Sequence, residues 1–419
     1  MSNTRKPTHR LITSTPVLVA VLVGCSIPAL VFGRTAVAVT VGLAFILTFF
    51  LDDWRQPWKD VRRAIVKPIG IWIVITLSLW TISAIGSSDP VRSLEAVTRT
   101  GGFALIAVLL WSVLKSNPAN AGRAQSVFVA GVSVSVVIAL LSSTVLPQLY
   151  WVTHFYGWRD QPLLTELKSF AALSVLIIPM LILAFVRISG WWRWLCVLNV
   201  LGIVAIVFMT DNRAAIAGLL AAFAIGIVAL AIRIRNRLLG AGLIAGMFVV
   251  CAAVVVWLYY SRQHLQNIAP DQDWLFPVWL LDFERQVIWG HTWKQAMAAP
   301  LFGLGANTVN FSPGADTVIP GTSHLTLIPG HPHNWFFEIM AETGIVGLLS
   351  LLVSIGFWFY QLLIRFYEAA SSSVLAALAI AAGYWGSGLF NFSYWSAWWQ
   401  MAFFVAVALV FAWEEPDRT

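Results

Sequence analysis

Hydrophobic stretches of membrane-spanning length recur along almost the whole chain of 419 residues. A helix needs about 20 consecutive apolar residues to cross a hydrocarbon core of about 30 Å. Twelve stretches approach this length: 15–33, 35–51, 68–86, 98–115, 124–148, 167–187, 192–210, 213–232, 238–260, 336–364, 373–389 and 393–413. Because 59% of the residues are hydrophobic and only 11% are charged, the sequence predicts an all-α polytopic membrane protein with about twelve transmembrane helices.

The distribution of positive charge predicts which way the chain is inserted. If the amino terminus lies in the cytoplasm, 17 of the 26 Lys and Arg residues fall on the inner side. Since inner loops of membrane proteins are enriched in these residues, we expect both termini to be cytoplasmic. The net charge of +7 then follows from topology, and cations scattered over short loops favour contact with anionic membrane lipids over a nucleic-acid site.

One connection, residues 261–332, is much longer than the others and is predicted to face outward. Long loops of this kind are usually either functional or disordered. Apolar side chains recur in it at near-helical spacing: Phe283, Val287, Trp289, Trp293 and Met297. They predict an amphipathic helix over about 283–298, and the tryptophans fit either an interfacial belt or stacking on sugars. The chain therefore divides into residues 1–260 with nine spans, the loop 261–332, and residues 333–419 with three spans.

Four arginines on the outer side are candidate ligands for an anion. Arg213 stands in the sequence TDNRAA, a short hinge between two apolar spans, where a charge is costly unless it is paired or functional. It can pair with Asp211 or reach for the interface, or its planar fork of donors can bind phosphate. Arg285 has the same choice between a helix-surface ion pair and phosphate. Arg159 and Arg262 are further candidates, although exposed loop arginines are common.

The segment HPHNWFFEIMAETGIVG, residues 331–347, places two histidines before an apolar helix. Asn334 is a favourable N-cap, and the helix that follows can continue to residue 364, a length of about 45 Å. A histidine ahead of the positive helix end is biased towards the neutral form, which accepts a proton. His333 is thus a candidate general base and His331 a secondary candidate, although either can also be a loop residue that helps to cap the helix.

The sequence predicts a site without a metal or another cofactor. The two histidines are separated by one proline and belong to no HExxH or CxxC pattern. All three cysteines lie within predicted spans, which excludes a disulfide framework or a cysteine metal site: Cys25, Cys196 and Cys251. The tripeptide 271–273, Asp-Gln-Asp, is too short to indicate a divalent ion by itself.

His333 and Asn334, then nine residues, then Gly344, two residues and Gly347, resemble the signature of the O-antigen ligase superfamily. The long loop before the motif and the TDNRAA and ERQVIW segments are similar as well. The resemblance implies a GT-C-like glycosyltransferase of the bacterial inner membrane with its active site on the periplasmic face. The two glycines are expected to allow close helix packing.

The superfamily includes ligases, which join undecaprenyl-pyrophosphate-linked O-antigen to lipid A-core, as well as polymerases and protein O-oligosaccharyltransferases. Polymerases often carry Arg eleven positions before Gly in two loops, a spacing that none of the four arginines has here. Protein O-oligosaccharyltransferases usually extend further beyond the last helix. The resemblance therefore favours a ligase that needs no metal and inverts the anomeric centre, with His333 as base and the four arginines holding the pyrophosphate.

A lipid-linked glycan transporter is the alternative from another functional class. Such a protein would have ionisable residues distributed along several spans to line a path through the bundle. In this sequence they concentrate at one face of the predicted membrane, and the span interiors are almost uncharged. This distribution favours the enzyme over the transporter.

Overall fold

The computed structural model describes residues 7–154, 164, 166–264 and 275–414, with side chains from residue 14 onward. Helix accounts for 78% of the structure. The described residues contain no β-strand, only an isolated bridge between Val318 and Thr326. The prediction of an all-helical membrane protein is confirmed.

Sixteen α-helices form the described part of the chain: α1 (Pro7–Ser26), α2 (Arg34–Leu47), α3 (Arg55–Ile65), α4 (Pro68–Ile85), α5 (Pro90–Lys115), α6 (Pro118–Thr144), α7 (Gln148–Thr153), α8 (Lys168–Ala172), α9 (Ser174–Arg187), α10 (Trp192–Met209), α11 (Arg213–Arg233), α12 (Arg237–Arg262), α13 (Phe283–Ala298), α14 (Trp335–Ala369), α15 (Ser372–Gly388) and α16 (Ala397–Ala412). α13 has the bounds that the spacing of apolar residues predicts.

Seven of the described helices are long and apolar enough to cross a bilayer: α4, α5, α6, α10, α11, α12 and α14. An eighth span is possible where α2, extended to Phe50, meets α3 at a bend of 112°. Every predicted span overlaps an apolar helix, but the apolar parts of α1, α9, α15 and α16 are shorter than 18 residues. The polytopic character is confirmed, whereas the number of twelve crossings stays a prediction.

The helices pack around two large hydrophobic clusters and one small one. The largest cluster combines buried side chains of α1, α2, α5, α6, α9 and α16. A second joins α4, α5 and the start of α14 to the connection between α15 and α16. The third holds α13 against the segment after residue 310, through side chains such as Phe283, Ile288 and Ile319. The described part of the long loop therefore has a core of its own.

α14 begins as predicted, but the expectation of one continuous helix is wrong at Gly344. This residue has φ 67° and ψ −173°, which interrupts the helix at the first glycine of the sequence motif. The chain after α13 occupies the break: Ile345 N–H donates to the carbonyl of Pro300 at 2.8 Å, and Gly305 N–H to that of Glu342 at 2.8 Å. Hydrogen bonds to the loop thus replace those that the helix lacks.

Gly344 is required at this break for two reasons. Its positive φ is a conformation that residues with a Cβ rarely adopt, and a Cβ there would lie 2.2 Å from the carbonyl oxygen of Leu301. Both glycines were expected to allow close helix packing, but Gly344 contacts the loop after α13. Gly347 lies against Trp80 of α4, and Trp80 Nε1–H donates to the carbonyl of Gly347 at 3.3 Å.

Gly344→Ala is expected to destabilise the protein by about 2–4 kcal/mol, since backbone strain adds to a collision with backbone atoms that cannot move aside. The measurement is the thermal unfolding midpoint of the purified protein in detergent. Gly356→Ala is the matched control, because it lies in the same helix with open space around its Cα. Equal midpoints for the two variants would contradict the prediction.

Candidate functional site

Two of the four predicted arginines pair with one carboxylate, that of Asp282 at the start of α13, and a third lies near it. Arg213, the first residue of α11, donates from Nη2 to Asp282 Oδ2 at 2.6 Å. Arg262, the last residue of α12, donates to Asp282 Oδ1 and also to the carbonyl of Trp279 at 2.8 Å. Arg285 follows in the first turn of α13. We call Arg213, Arg262 and Arg285 the arginine cluster, and with Asp282 it has a net charge of +2.

The cluster answers the question that the sequence left open for Arg213. Its carboxylate partner is Asp282, 69 positions away, rather than the adjacent Asp211. Burial alone would raise the pKa of Asp282, but the hydrogen bond and charge of Arg213, with the charges of Arg262 and Arg285, lower it overall. Asp282 is therefore ionised near neutral pH and orients two of the guanidinium groups.

Arg285 is the least satisfied member of the cluster. Among the described residues it has no hydrogen-bonding or ion-pairing partner. Burial and the like charge of Arg213 lower the pKa of Arg285 to about 10, so it stays charged at neutral pH. An incompletely paired guanidinium beside two other cations is a suitable contact for a multiply charged anion.

His331 and His333 lie side by side directly before α14, with ring centroids 4.1 Å apart. The loop that carries them is fixed at both ends. Trp289 of α13 donates from Nε1 to the carbonyl of Pro332 at 3.0 Å. Asn334 caps α14 by accepting from the backbone N–H groups of the two residues that follow Trp335, at 2.9 and 3.3 Å.

Both histidines are biased towards the neutral form. Burial, followed by the charge of Arg285, lowers the pKa of His333 to about 4, although a hydrogen bond to the backbone of Asn391 opposes the shift. Burial, the neighbouring His333 and the charge of Arg34 lower the pKa of His331 to about 3. His333 can accordingly accept a proton at neutral pH, and the influence of Arg285 on its pKa indicates that the arginine cluster lies near the histidine pair.

A cavity of about 280 Å³ opens at the histidines. Besides the loop that carries the histidines, three separate parts of the chain form its walls: the start of α2, the irregular segment after α13, and the connection between α15 and α16. Its lining residues are Arg34, Asn307, His331, His333, Phe392, Ser393, Trp395 and Ser396. We call this space the histidine cavity.

Glu338 attaches one wall of the histidine cavity to α14. It lies in the first turn after the histidines and is 1% exposed. Its carboxylate accepts from Ser393 Oγ at 2.6 Å and from the backbone N–H of Tyr394 at 2.6 Å. The connection between α15 and α16 is therefore held in place by the helix that carries the candidate base.

Glu342, one turn further along α14, attaches a second wall in the same way and is also 1% exposed. It accepts from the backbone N–H groups of Asn307 at 2.8 Å and Val309 at 2.9 Å, and from Trp395 Nε1–H. Among the described residues neither glutamate has a cationic partner. Directed N–H and O–H donors satisfy the oxygen atoms of the two buried carboxyl groups instead.

The structure thus brings together His331, His333 and three of the predicted arginines, whereas Arg159 and the tripeptide 271–273 lie outside the described residues. No group of three or more His, Cys, Asp or Glu side chains in the described part of the chain could hold a metal ion. Sequence reasoning missed Arg34, the two glutamates, and Asp282 as the residue that joins the arginines. Arg34 had a usable signal, because it separates two apolar spans just as Arg213 does.

Comparison with known proteins finds a family whose model matches the part of the chain that contains most of this site. Residues 197–352 match the family model described as O-Antigen ligase. The matched region contains the arginine cluster, both histidines, both glutamates and the two motif glycines, whereas Arg34 and the connection between α15 and α16 lie outside it. No relative was found among curated proteins.

Proposed function

We propose, from the match of residues 197–352 to the O-antigen ligase family model, that this chain is an O-antigen ligase. It transfers a preassembled O-antigen polysaccharide from undecaprenyl pyrophosphate to lipid A-core on the periplasmic face of the bacterial inner membrane. The observation that carries the proposal is the placement of a neutral His333 beside the net positive arginine cluster, since the reaction needs both a base and stabilisation of a departing anion.

In the proposed reaction, a hydroxyl oxygen of the acceptor attacks the anomeric carbon of the donor glycan. The hydroxyl proton passes to His333, and the bond from the anomeric carbon to the pyrophosphate oxygen breaks with its electron pair on that oxygen. A positioned general base contributes about 10² to 10⁴ in rate. A single direct displacement inverts the anomeric centre.

The arginine cluster stabilises the leaving undecaprenyl pyrophosphate. Charge grows on the pyrophosphate as the glycosidic bond breaks, and cations already fixed in a partly dehydrated site stabilise such a charge most effectively. Asp282 prevents Arg213 and Arg262 from moving apart, and Arg285 supplies unpaired donors. These groups do the electrostatic work without a metal or another cofactor.

The arrangement of the site suits two amphiphilic substrates. Apolar side chains of α12 are directed outward, and only 11% of its 18-residue hydrophobic stretch is buried within the protein. Polyprenyl and acyl chains can therefore lie against lipid-facing helices while the glycans meet at the histidine cavity. The donor is already activated as a pyrophosphate, so no nucleotide site is required.

The test is transfer by the purified protein in lipid nanodiscs, supplied with undecaprenyl-pyrophosphate-linked glycan and lipid A-core in EDTA. We expect glycosylated lipid A-core, detected by its shift in gel mobility and by mass, at the same rate with and without EDTA. Joined lipid-linked repeats without lipid A-core would identify a polymerase, and glycosylation of a Ser- or Thr-containing peptide a protein O-oligosaccharyltransferase. Glycan movement across the bilayer without any transfer would identify a transporter.

The pKa of His333 also predicts the pH dependence of the reaction. Since the folded-state value is about 4, the base stays unprotonated as the pH falls through 6.5, where an ordinary histidine becomes protonated. We expect kcat/KM to stay level between about pH 5.5 and 7.5 and to decrease only below that range. A titration of kcat/KM centred near pH 6.5 would contradict this environment for His333.

A further inference from the structure

Arg34 reaches the histidine cavity from a part of the chain remote from the family motif. It is the first residue of α2 and is exposed, and Nη2 donates to Ser169 Oγ at 3.1 Å. Its Cζ lies 5.4 Å from the ring centroid of Trp398 and 5.7 Å from that of Phe392. Two aromatic rings and one hydroxyl thus orient the guanidinium without neutralising it.

The charge of Arg34 has no carboxylate counterpart. None of the five ion pairs among the described residues includes it. The same charge contributes to the lowered pKa of His331, so it acts on the interior of the cavity. Since Arg34 is exposed and has no carboxylate partner among the described residues, its guanidinium is free to pair with an anion that enters the cavity.

His331 provides a second, independent observation that points to a binding site. Its Nε2 atom is buried and has no hydrogen-bond partner among the described residues. Buried polar atoms in proteins are nearly always hydrogen-bonded, and exceptions point to a group that binds there. In the histidine cavity, the unpaired imidazole nitrogen and the unpaired guanidinium line the same space of about 280 Å³.

We propose that Arg34 and His331 form a phosphate subsite in the histidine cavity, additional to the arginine cluster. The ligand is a phosphate group of a lipid-linked substrate, and this assignment rests on the proposed function. Guanidinium donors bind two phosphate oxygens, while the neutral imidazole donates to a third oxygen or accepts from a neighbouring sugar hydroxyl. The phosphate belongs either to the donor pyrophosphate or to a phosphorylated sugar of the acceptor.

The experiment is equilibrium binding to the full-length protein in nanodiscs, without turnover, using three probes: undecaprenyl pyrophosphate, lipid A-core, and dephosphorylated lipid A-core. Arg34→Gln is expected to weaken binding of a phosphate-bearing probe about tenfold, while Arg34→Lys keeps part of the affinity. A selective effect on undecaprenyl pyrophosphate assigns the subsite to the donor. An effect on lipid A-core that disappears after dephosphorylation assigns it to the acceptor.

Arg193→Gln is the matched control. Arg193 is another arginine that lies over an aromatic ring, with Cζ 5.2 Å from the centroid of Phe185 and Nε donating to its carbonyl at 3.0 Å. It does not line the histidine cavity. Its replacement should therefore leave the affinity for all three probes unchanged.

The proposed subsite is refuted if Arg34→Gln, shown to be folded by its thermal unfolding midpoint, binds every probe with the affinity of the wild type. It is also overturned if Arg34→Lys and Arg193→Gln weaken binding as much as Arg34→Gln does. The proposed function fails separately: Arg34-dependent binding without glycan transfer would support the subsite and refute the ligase. A wild type that binds neither phosphorylated lipid would refute both.

Discussion

His333→Asn is expected to reduce the rate of glycan transfer by about 10²- to 10⁴-fold while leaving the protein folded. Asparagine is the appropriate replacement because His333 has φ 56°, a left-handed conformation that asparagine tolerates better than most residues. It cannot accept the hydroxyl proton as imidazole does. The measurement is the initial rate of lipid A-core glycosylation, with the thermal midpoint of each variant as the folding check.

His331→Asn is the comparison that separates the two histidines. His331 shares the cavity and has an even lower pKa, but its Nε2 atom is buried without a partner, which fits binding better than proton transfer. We expect its replacement mainly to raise KM, with a smaller effect on kcat. If His333→Asn retained wild-type kcat, or if His331→Asn lost as much, His333 would not be the base.

The position of the candidate base directly before the N-cap of α14 could be predicted from the sequence because its signal is local. A histidine directly before an N-capping asparagine and an apolar helix has the same environment wherever that helix is placed. The positions of the helices were predictable for a similar reason, since apolar runs of sufficient length have few alternatives in a membrane. The amphipathic α3 was missed because a search for apolar runs passes over a helix with five charged side chains.

The arrangement of the site could not be predicted, because it depends on contacts between distant positions. Arg213 and Asp282 are 69 residues apart, and Arg34 and His331 come from opposite ends of the chain. The break of α14 at Gly344 could not be predicted either, because its cause is the loop after α13, which forms hydrogen bonds with the helix backbone on both sides of the break. Local propensity predicts an uninterrupted helix there, and tertiary hydrogen bonds override it.

The two buried glutamates of α14 could have been recognised from the sequence as candidate site residues. A carboxylate within an apolar span is costly and marks a functional or organising position, as was argued for Arg213. Glu338 and Glu342 meet this criterion in the first part of α14. Each accepts hydrogen bonds from one or two walls of the histidine cavity, so both hold residues around the candidate base in place.

Glu342→Gln is expected to destabilise the protein by about 2–4 kcal/mol and to reduce transfer, since all three of its partners are N–H donors. The amide group of glutamine offers one acceptor oxygen and brings two N–H bonds towards donors that cannot turn round. The N–H groups of Asn307 and Trp395 would lose their fixed acceptor, and both residues line the cavity. The measurements are the thermal midpoint and the kcat and KM for lipid A-core.

Glu338→Gln is the matched control, because it makes the same chemical change one turn earlier in the same helix. One of its two partners is the hydroxyl of Ser393, which can rotate to accept a hydrogen bond from the new amide. We therefore expect a loss of no more than about half that of Glu342→Gln. Equal losses would contradict the argument from donor type, and an unchanged midpoint for Glu342→Gln would show that the hydrogen bonds to Glu342 do not hold the cavity wall.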